Sequence, residues 1–308
     1  MGAAALRVAQ AVAAVLPERC VVGCSGGADS LALALGAHWA GGKRGSEMRV
    51  VVVDHGLQPG SDQVAARVVD TLTERGLAAE AVRVAVEPSY GGLEAAARDA
   101  RLAALTSYEV PVLLGHTLDD QAETVLLGLL RGSGTRSLAG MAVASPHGEA
   151  SLLRPLLGLR RAETEAACRE WGVEPWADPM NDDPRFARVA VRRQLAALEA
   201  SLGRDLALAL GRTAHLARAD ADLLDELSAA AVETGEALAV AEVAELPDAL
   251  RWRVLHRWLG RFWPEVEYRH VLAVDALATR WRGQGPVAVP GGGIARIEGV
   301  LQFQPRQV

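Results

Sequence analysis

The sequence predicts an α/β protein: an open parallel sheet with helices on both faces, followed by a mainly helical linker and a small α+β C-terminal module. Three observations predict it. Over residues 19–171, short apolar runs that read as strands alternate with longer amphipathic segments that read as helices, the pattern of right-handed strand–helix–strand units. The run MRVVVVDH at 48–55 carries consecutive valines between turn residues, which marks a strand covered on both faces. A length of 308 residues, half of them apolar, exceeds one ordinary domain and allows more than one core.

Residues 1–16 are alanine-rich and apolar, but Arg7 and Gln10 interrupt them and Glu18 and Arg19 follow, so they read as an amphipathic helix and not a secretion signal. A strand ending at Cys24 runs into a glycine-rich turn and a helix. After a polar turn at 41–47 come strand 48–55, helix 61–75, strand 79–86, helix 92–107, strand 111–116 and helix 118–131. Short strands at 140–145 and 151–154 flank a His147-Gly148 turn, and helix 159–171 stops at Gly172. The proline-punctuated loop 176–184 is a natural domain edge, which gives the expected organisation 1–184, linker 185–231 and C-terminal module 232–308. The linker is alanine- and leucine-rich at helical spacing. In the last module a helix begins at Leu246-Pro247-Asp248 with an apolar stripe of Leu255, Trp258, Leu259 and Phe262. Helix 267–281 and a meander at 287–289, 294–297 and 300–303 complete it. Tryptophans in such a stripe read as core and not as stacking platforms.

A formal charge of −6 excludes a uniformly basic nucleic-acid binder, so any RNA surface must be a local patch. Lys43 is the only lysine, and the remaining positive charge is arginine, which suits bidentate phosphate contacts. Cys20, Cys24 and Cys168 are odd in number and form no CxxC pair, which fits a reducing cytosol and a cytoplasmic protein. No apolar run approaches a membrane span, so no membrane partner is expected. Oligomeric state stays open, a homodimer included.

In an open parallel sheet, ligands bind beyond the carboxyl ends of the strands, and that rule selects three places. The first is Ser25, Gly26, Gly27, Ala28, Asp29 and Ser30. Its glycines let the backbone approach an anion at a helix N-terminus and its serines add hydroxyl donors. It fits neither GxxxxGK[ST] nor GxGxxG. The second is Asp54-His55-Gly56, whose carboxylate either accepts from a ribose or adenine amine or simply meets water. The third is GHTLDDQAET, 115–124, with His116 at the turn, Thr117 as a cap, and Asp119, Asp120 and Glu123 in the first turns of the helix. Carboxylates sharing a helix face near a bound phosphate call for a cation between them, and oxygen ligands of this kind suit magnesium. Between these lies EAAARDAR, 94–101, a helix with arginines three apart on one side, either facing a bound phosphate or, for Arg98, pairing with Glu94 in solvent.

The SGGADS loop resembles that of the PP-loop ATP pyrophosphatases, which implies that it grips the pyrophosphate of ATP while AMP is transferred, with Asp29 beside magnesium. The ordered set SGGADS, VDHGL, EAAARDAR, LGHTLDDQAETVLL, RGSGTRSLAGM and RPLL, over roughly residues 20–195, is similar to the tRNA(Ile)-lysidine synthetase family. That resemblance implies ATP-dependent activation at C2 of the wobble cytidine of a tRNA(Ile) with a CAU anticodon, then attack by the side-chain amine of L-lysine. It implies Asp29, Arg98, Asp120 and Glu123 as the residues nearest the chemistry, Asp29, Asp120 and Glu123 as magnesium ligands, and an ATP site of 25–30, Asp54, His55 and His116.

RNA contacts are expected in three places. Arg131 and Arg136 lie in a glycine-rich loop that could hold RNA phosphate or an amino-acid carboxylate, or be only a helix exit. Arg185, Arg188, Arg192 and Arg193 fall within nine residues without an acid, and Arg253 and Arg257 line one face of a helix. The chain departs from the family pattern at Arg188-Val189, where RN is usual, at Leu102 for tyrosine, at Gln58 for arginine and at Met180 for serine. A PP-loop tRNA thiolase, an ammonia-using amidoligase and a nucleotide sensor without turnover are the other readings.

Overall fold

The structure is a computed structural model that describes residues 1–86, 92–132, 134–178, 187–263 and 265–306, and the side chain of Glu94 is not described. It divides into two compact units, Met1–Arg131 with Gly140–Ala214, and Gly132–Ala139 with His215–Val308.

The first unit follows the expected alternation: α1 (Ala3–Val15), β1 (Arg19–Cys24), α2 (Ala28–Arg44), β2 (Glu47–Asp54), α3 (Ser61–Thr73), β3 (Ala79–Arg83), α4 (Gly92–Thr106), β4 (Val112–Leu113) and α5 (Leu118–Leu130). The short helix α6 (Thr135–Leu138) belongs to the second unit. Then come β5 (Ala144–His147), β6 (Ala150–Leu153), α7 (Arg161–Trp171) and α8 (Ala187–Leu202). Helix α9 (Leu206–Ala231) gives its first turns to this unit and the rest to the second. Strand order is β3-β2-β1-β4-β6-β5, parallel throughout except that β5 returns antiparallel on β6. The sheet is therefore mostly parallel. Its edge is a hairpin because the His147-Gly148 turn is too short for a crossover, and Gly148 takes φ +57° there.

The valine run divides as a doubly covered strand must. Val50 and Val52 join Cys20, Val22, Leu31, Leu33 and Leu72 in the core under α1, α2, α3 and α7. Val51 joins Val21, Leu102, Leu105 and Val112 on the α4 side. Period-two alternation of side chains produces this split, and each fully buried valine contributes roughly 1.5–3 kcal/mol. A separate cluster of Leu118, Ala122, Val191, Leu195 and Ala207 fastens α8 and the start of α9 to α5.

The second unit adds β7 (Ala237–Ala239), α10 (Val240–Ala244), α11 (Asp248–Leu259), α12 (Tyr268–Thr279), β8 (Val287–Val289), β9 (Gly292–Ile297) and β10 (Val300–Pro305). Its sheet, β7-β10-β9-β8, is antiparallel. The expected meander is present. β7 and α10 are additional, three and five residues long, too short to carry a period in sequence. Trp258 is fully buried beside Leu255, Leu277 and Ile294, as its place in an apolar stripe required.

Within this core Arg251 donates to Asp275 at 2.5 Å, and also meets Asp248 and the Leu246 carbonyl. Arg251→Met leaves the Asp275 carboxylate buried and unpaired, and is expected to cost about 3–5 kcal/mol in urea unfolding. The double variant Arg251→Met/Asp275→Leu removes both charges and is expected to recover most of that loss.

Candidate active site

The site forms where β1, β2 and β4 end. Beyond β1, Gly26 takes φ +85°, and a Cβ there would fall 2.5 Å from Val68, so the turn requires glycine. The Ser30 hydroxyl accepts from the Ser25 backbone N–H at 3.1 Å and donates to the Gly27 carbonyl at 3.0 Å, which ties the loop into a closed turn. Gly27 is the N-cap of α2 and no side chain caps it, so the first-turn N–H groups are left for a ligand. Gly115, beyond β4, passes against this turn; a Cβ there would approach the Asp29 carbonyl to 3.0 Å.

Asp54 is buried at the end of β2, where its carboxylate accepts from the Gly56 N–H at 2.9 Å and closes an Asx turn. Burial opposes its ionisation, but that N–H, the Ser61 hydroxyl and Arg83 hold it below the usual carboxylate range. One oxygen of Asp54 thus already has a local use.

The acids behave differently from what their spacing suggested. The structure brings Asp29, Asp120 and Glu123 together, and the cation among them is Arg161. Its Nε is 3.3 Å from Asp29, and its Nη2 is 2.9 Å from Asp120 and 3.7 Å from Glu123. The Thr164 hydroxyl meets the other Asp29 oxygen. Asp120 accepts from the Thr117 N–H at 2.8 Å and hydroxyl at 2.9 Å in a capping box, and with Arg161 this holds it below its ordinary pKa despite burial. Glu123, 1% exposed, receives Arg192 Nε at 2.7 Å and Nη2 at 3.4 Å. Asp119 binds the Arg161 N–H at 2.7 Å and Arg160 Nη2 at 3.0 Å. Asp29 alone is left short of positive charge. Burial raises its pKa to about 6, against the pull of Thr164 and Arg161 and with repulsion from Asp120.

A second group, basic in character, gathers around α4 and the ends of β2 and β4. Burial, followed by the charges of Arg98 and Arg188, lowers the pKa of Arg101. His116 is pushed down to about 4, mostly by burial, with Arg101, Arg154 and Arg188 adding to it and Asp120 opposing. His55 is lowered by burial and by Arg101. The Nδ1 atoms of His55 and His116 and the Nε of Arg101 are buried and make no hydrogen bond among the described residues. Buried polar atoms left this way mark a place for a polar ligand. Arg98 is exposed on the same helix, α4.

The basic residues marked for RNA differ in their surroundings. Arg136 is paired with Asp222 at 2.6 Å and Asp225 at 2.5 Å, and Arg253 with Asp225 at 2.8 Å. Arg257 donates to the Val232 carbonyl at 2.7 Å just past α9, and Arg192 serves Glu123. Arg131 and Arg193 are exposed and Arg188 is half-buried. Arg185 and Met180 lie outside the described residues. Gln58, at a family departure, donates to Asp178 at 3.1 Å.

Arg161 and Thr164 are the participants that sequence reasoning did not name, while Arg101 entered only as the second of two arginines three apart. A signal existed for the first. Two adjacent arginines, Arg160 and Arg161, start a helix where the macrodipole disfavours cations, so they require acids from elsewhere. Thr164 gave none.

Carboxylate oxygens are the donor set magnesium takes, and Asp29 at the mouth of the phosphate loop, short of positive charge, suits one ion shared with substrate phosphates. Among the described residues no group of three or more histidine, cysteine, aspartate or glutamate side chains is arranged to hold a metal. No helix among them is long and apolar enough to cross a membrane.

The PP-loop domain family matches residues 3–199, and the TilS substrate binding domain matches residues 238–301. The tRNA(Ile)-lysidine synthase of Salinispora tropica is 48% identical, covering 90% of this chain and 87% of that one. The protein of the same description from Cutibacterium acnes is 46% identical, with 99% and 98% covered. The U34-tRNA thiolase NcsA from Methanococcus maripaludis superposes with a TM-score of 0.54 at 16% identity, over 70% of this chain and 80% of that one, which establishes a shared fold. The two family matches lie in sequence over most of the chain, and the curated relatives are nearly half identical over most of both lengths, so the chain belongs to the tRNA(Ile)-lysidine synthase family.

Proposed function

We propose that the chain ligates L-lysine to C2 of the wobble cytidine of tRNA(Ile) with a CAU anticodon, at the expense of ATP, giving lysidine, AMP and pyrophosphate. The observation that carries this reading is the SGGADS turn with no side-chain cap on its helix, at the same strand ends that bring His55 and His116, whose buried Nδ1 atoms, like Nε of Arg101, make no hydrogen bond among the described residues. A turn of N–H groups and a set of unanswered donors suit a nucleotide with charge on several phosphates.

In the first step the C2 oxygen of cytidine attacks the α-phosphorus, the bond to the bridging oxygen breaks, and pyrophosphate leaves. The loop N–H groups with Ser25 and Ser30 hold the departing pyrophosphate. Arg98, Arg101 and neutral His116 meet the oxygens of the transferring group. In the second step the deprotonated lysine amine attacks C2, the C2–O bond breaks, and AMP departs. Asp29 would hold magnesium together with triphosphate oxygens, and the ion there offsets charge on pyrophosphate. Asp120 and Glu123 act behind it, keeping Arg161 and α8 in place.

For RNA, Arg131, Arg188 and Arg193 are the proposed phosphate contacts, and Arg185, outside the described residues, is proposed on its sequence alone. Arg136, Arg192, Arg253 and Arg257 serve the protein's own acids and carbonyls. Residues 1–184 then carry the chemistry, 185–231 connect, and 232–308 hold RNA. The thiolase alternative needs a reactive sulfur, and here burial pushes the thiols of Cys20 to about 11 and Cys168 to about 12 and raises Cys24 as well.

The test is ATP and labelled lysine with a CAU-anticodon isoleucine tRNA. Label is expected in the RNA, while a CAU methionine tRNA stays unlabelled. Pyrophosphate release that ignores added tRNA and lysine refutes the reading.

A further inference from the structure

Among the described residues, Trp281 is the one tryptophan on the exposed surface, with 39% of its area open, while Trp258 and Trp263 are buried in the core of the same unit. It stands just past the C-terminus of α12, between Arg280 and Arg282, in a turn held by Gln284. The Gln284 side chain accepts from the Arg282 N–H at 2.6 Å and donates to the Ala276 and Arg280 carbonyls. The guanidinium of Arg296, reaching from β9, lies 5.3 Å from the centre of the Trp281 ring. The same group donates to the Leu277 carbonyl at 3.0 Å and the Ala278 carbonyl at 3.3 Å, so it satisfies the end of α12 while steadying the indole. No carboxylate lies within ion-pair distance of Arg280, Arg282 or Arg296 among the described residues, whereas Arg251, Arg253 and Arg269 in this unit are all paired.

An exposed indole therefore sits in a fixed orientation inside a patch of unneutralised arginines, on a chain whose net charge is −6. Apolar burial accounts for only part of the indole, and internal ion pairing does not explain the arginines. Single-stranded or looped RNA offers both complements, a base face for the ring and phosphates for the flanking guanidinia. We propose that Trp281 is a base-stacking platform and Arg280 and Arg282 its phosphate contacts, together forming a site for an unpaired nucleotide of the tRNA substrate. This rests on the tRNA-modifying reading above and adds to it a named contact in the C-terminal module.

The experiment measures tRNA binding by filter retention and, in parallel, lysine incorporation, for the wild-type chain, Trp281→Ala, Trp281→Phe and Arg280→Gln/Arg282→Gln. Trp281→Ala is expected to weaken tRNA binding and raise its KM by roughly 5- to 150-fold, the range for loss of one stacked base. Its KM for ATP and lysine, and kcat at saturating tRNA, are expected within about twofold of wild type. Trp281→Phe keeps a ring and is expected to restore most of the affinity. The double arginine variant is expected to flatten the slope of log affinity against log salt by about 1.4–1.8, two phosphates' worth. Its changes are confined to exposed side chains, so it decides the matter even if Trp281→Ala folds poorly. Unchanged tRNA affinity in Trp281→Ala, or an unchanged salt slope in the arginine variant, overturns the site while wild-type enzyme still labels the tRNA. Absence of labelling by the wild-type chain instead overturns the reading of the reaction.

Discussion

Asp29→Asn is expected to abolish AMP transfer and, at the same time, to raise the stability of the protein at pH 7.5. The second effect follows from the carboxylate's position. Its pKa stands at about 6 in the folded chain against an ordinary 3.8, so at neutral pH the folded state holds an ionised group that burial disfavours. A shift of that size corresponds to about 3 kcal/mol. The sign is the reverse of the usual salt-bridged aspartate. The destabilisation is fully present above pH 6, shrinks as pH falls through 6 and the folded group takes up a proton, and is gone below 3.8, where both states are protonated. Thermal unfolding at pH 7.5 and at pH 4 reads this directly: the variant gains at the higher pH and little at the lower. Equal stability of the two proteins at pH 7.5 would contradict the burial argument. A gain in stability with loss of turnover is the signature of a group retained for chemistry.

Arg161→Met is expected to do the opposite. Without the guanidinium, Asp29 and Asp120 face each other with Glu123 behind them, and only the Thr117, Thr164 and Arg192 contacts remain. Arg161 is partly exposed, so the loss is set at the lower end for a broken buried pair, about 3 kcal/mol. Turnover is expected to fall at least about 100-fold, because the turn after β1 and the start of α5 are no longer held at one distance. Arg161→Lys restores a charge but cannot reach three carboxylates at once, and is expected to recover stability more than activity. The combination Asp29→Asn/Arg161→Met is expected to be less damaging to stability than Arg161→Met alone, since one of the crowded charges is gone. Strict additivity in urea unfolding would show that the two side chains do not interact.

Much of this molecule was legible in its sequence because the relevant signals are local. The valine run announced a doubly covered strand, and the structure divides its side chains between two cores. Asp54 was open to a ligand or to water alone, and the structure instead buries it with the Gly56 N–H closing an Asx turn on its carboxylate. Trp258 was legible as core from its stripe, but Trp281, at the end of the next helix, was not distinguishable from it by residue type. The arginines show the limit most clearly. Arg136 sits among small residues in sequence, and Arg253 and Arg257 among apolar and basic ones, yet each meets an acid or a carbonyl supplied by a distant segment.

By itself, then, the sequence determined the strand–helix alternation, the phosphate turn and the membership of a family, because each is written in residues that are neighbours or at fixed periods along the chain. Only the tertiary structure decided which cation stands among the acids. Arg161 lies 132 residues from Asp29 and 41 from Asp120, and that meeting is made by α7 packing back against α2 with its first residues bonded to the start of α5, a contact no local spacing encodes. The same holds for the arginines left unneutralised around Trp281: a charge becomes available to a ligand only when folding supplies no carboxylate for it.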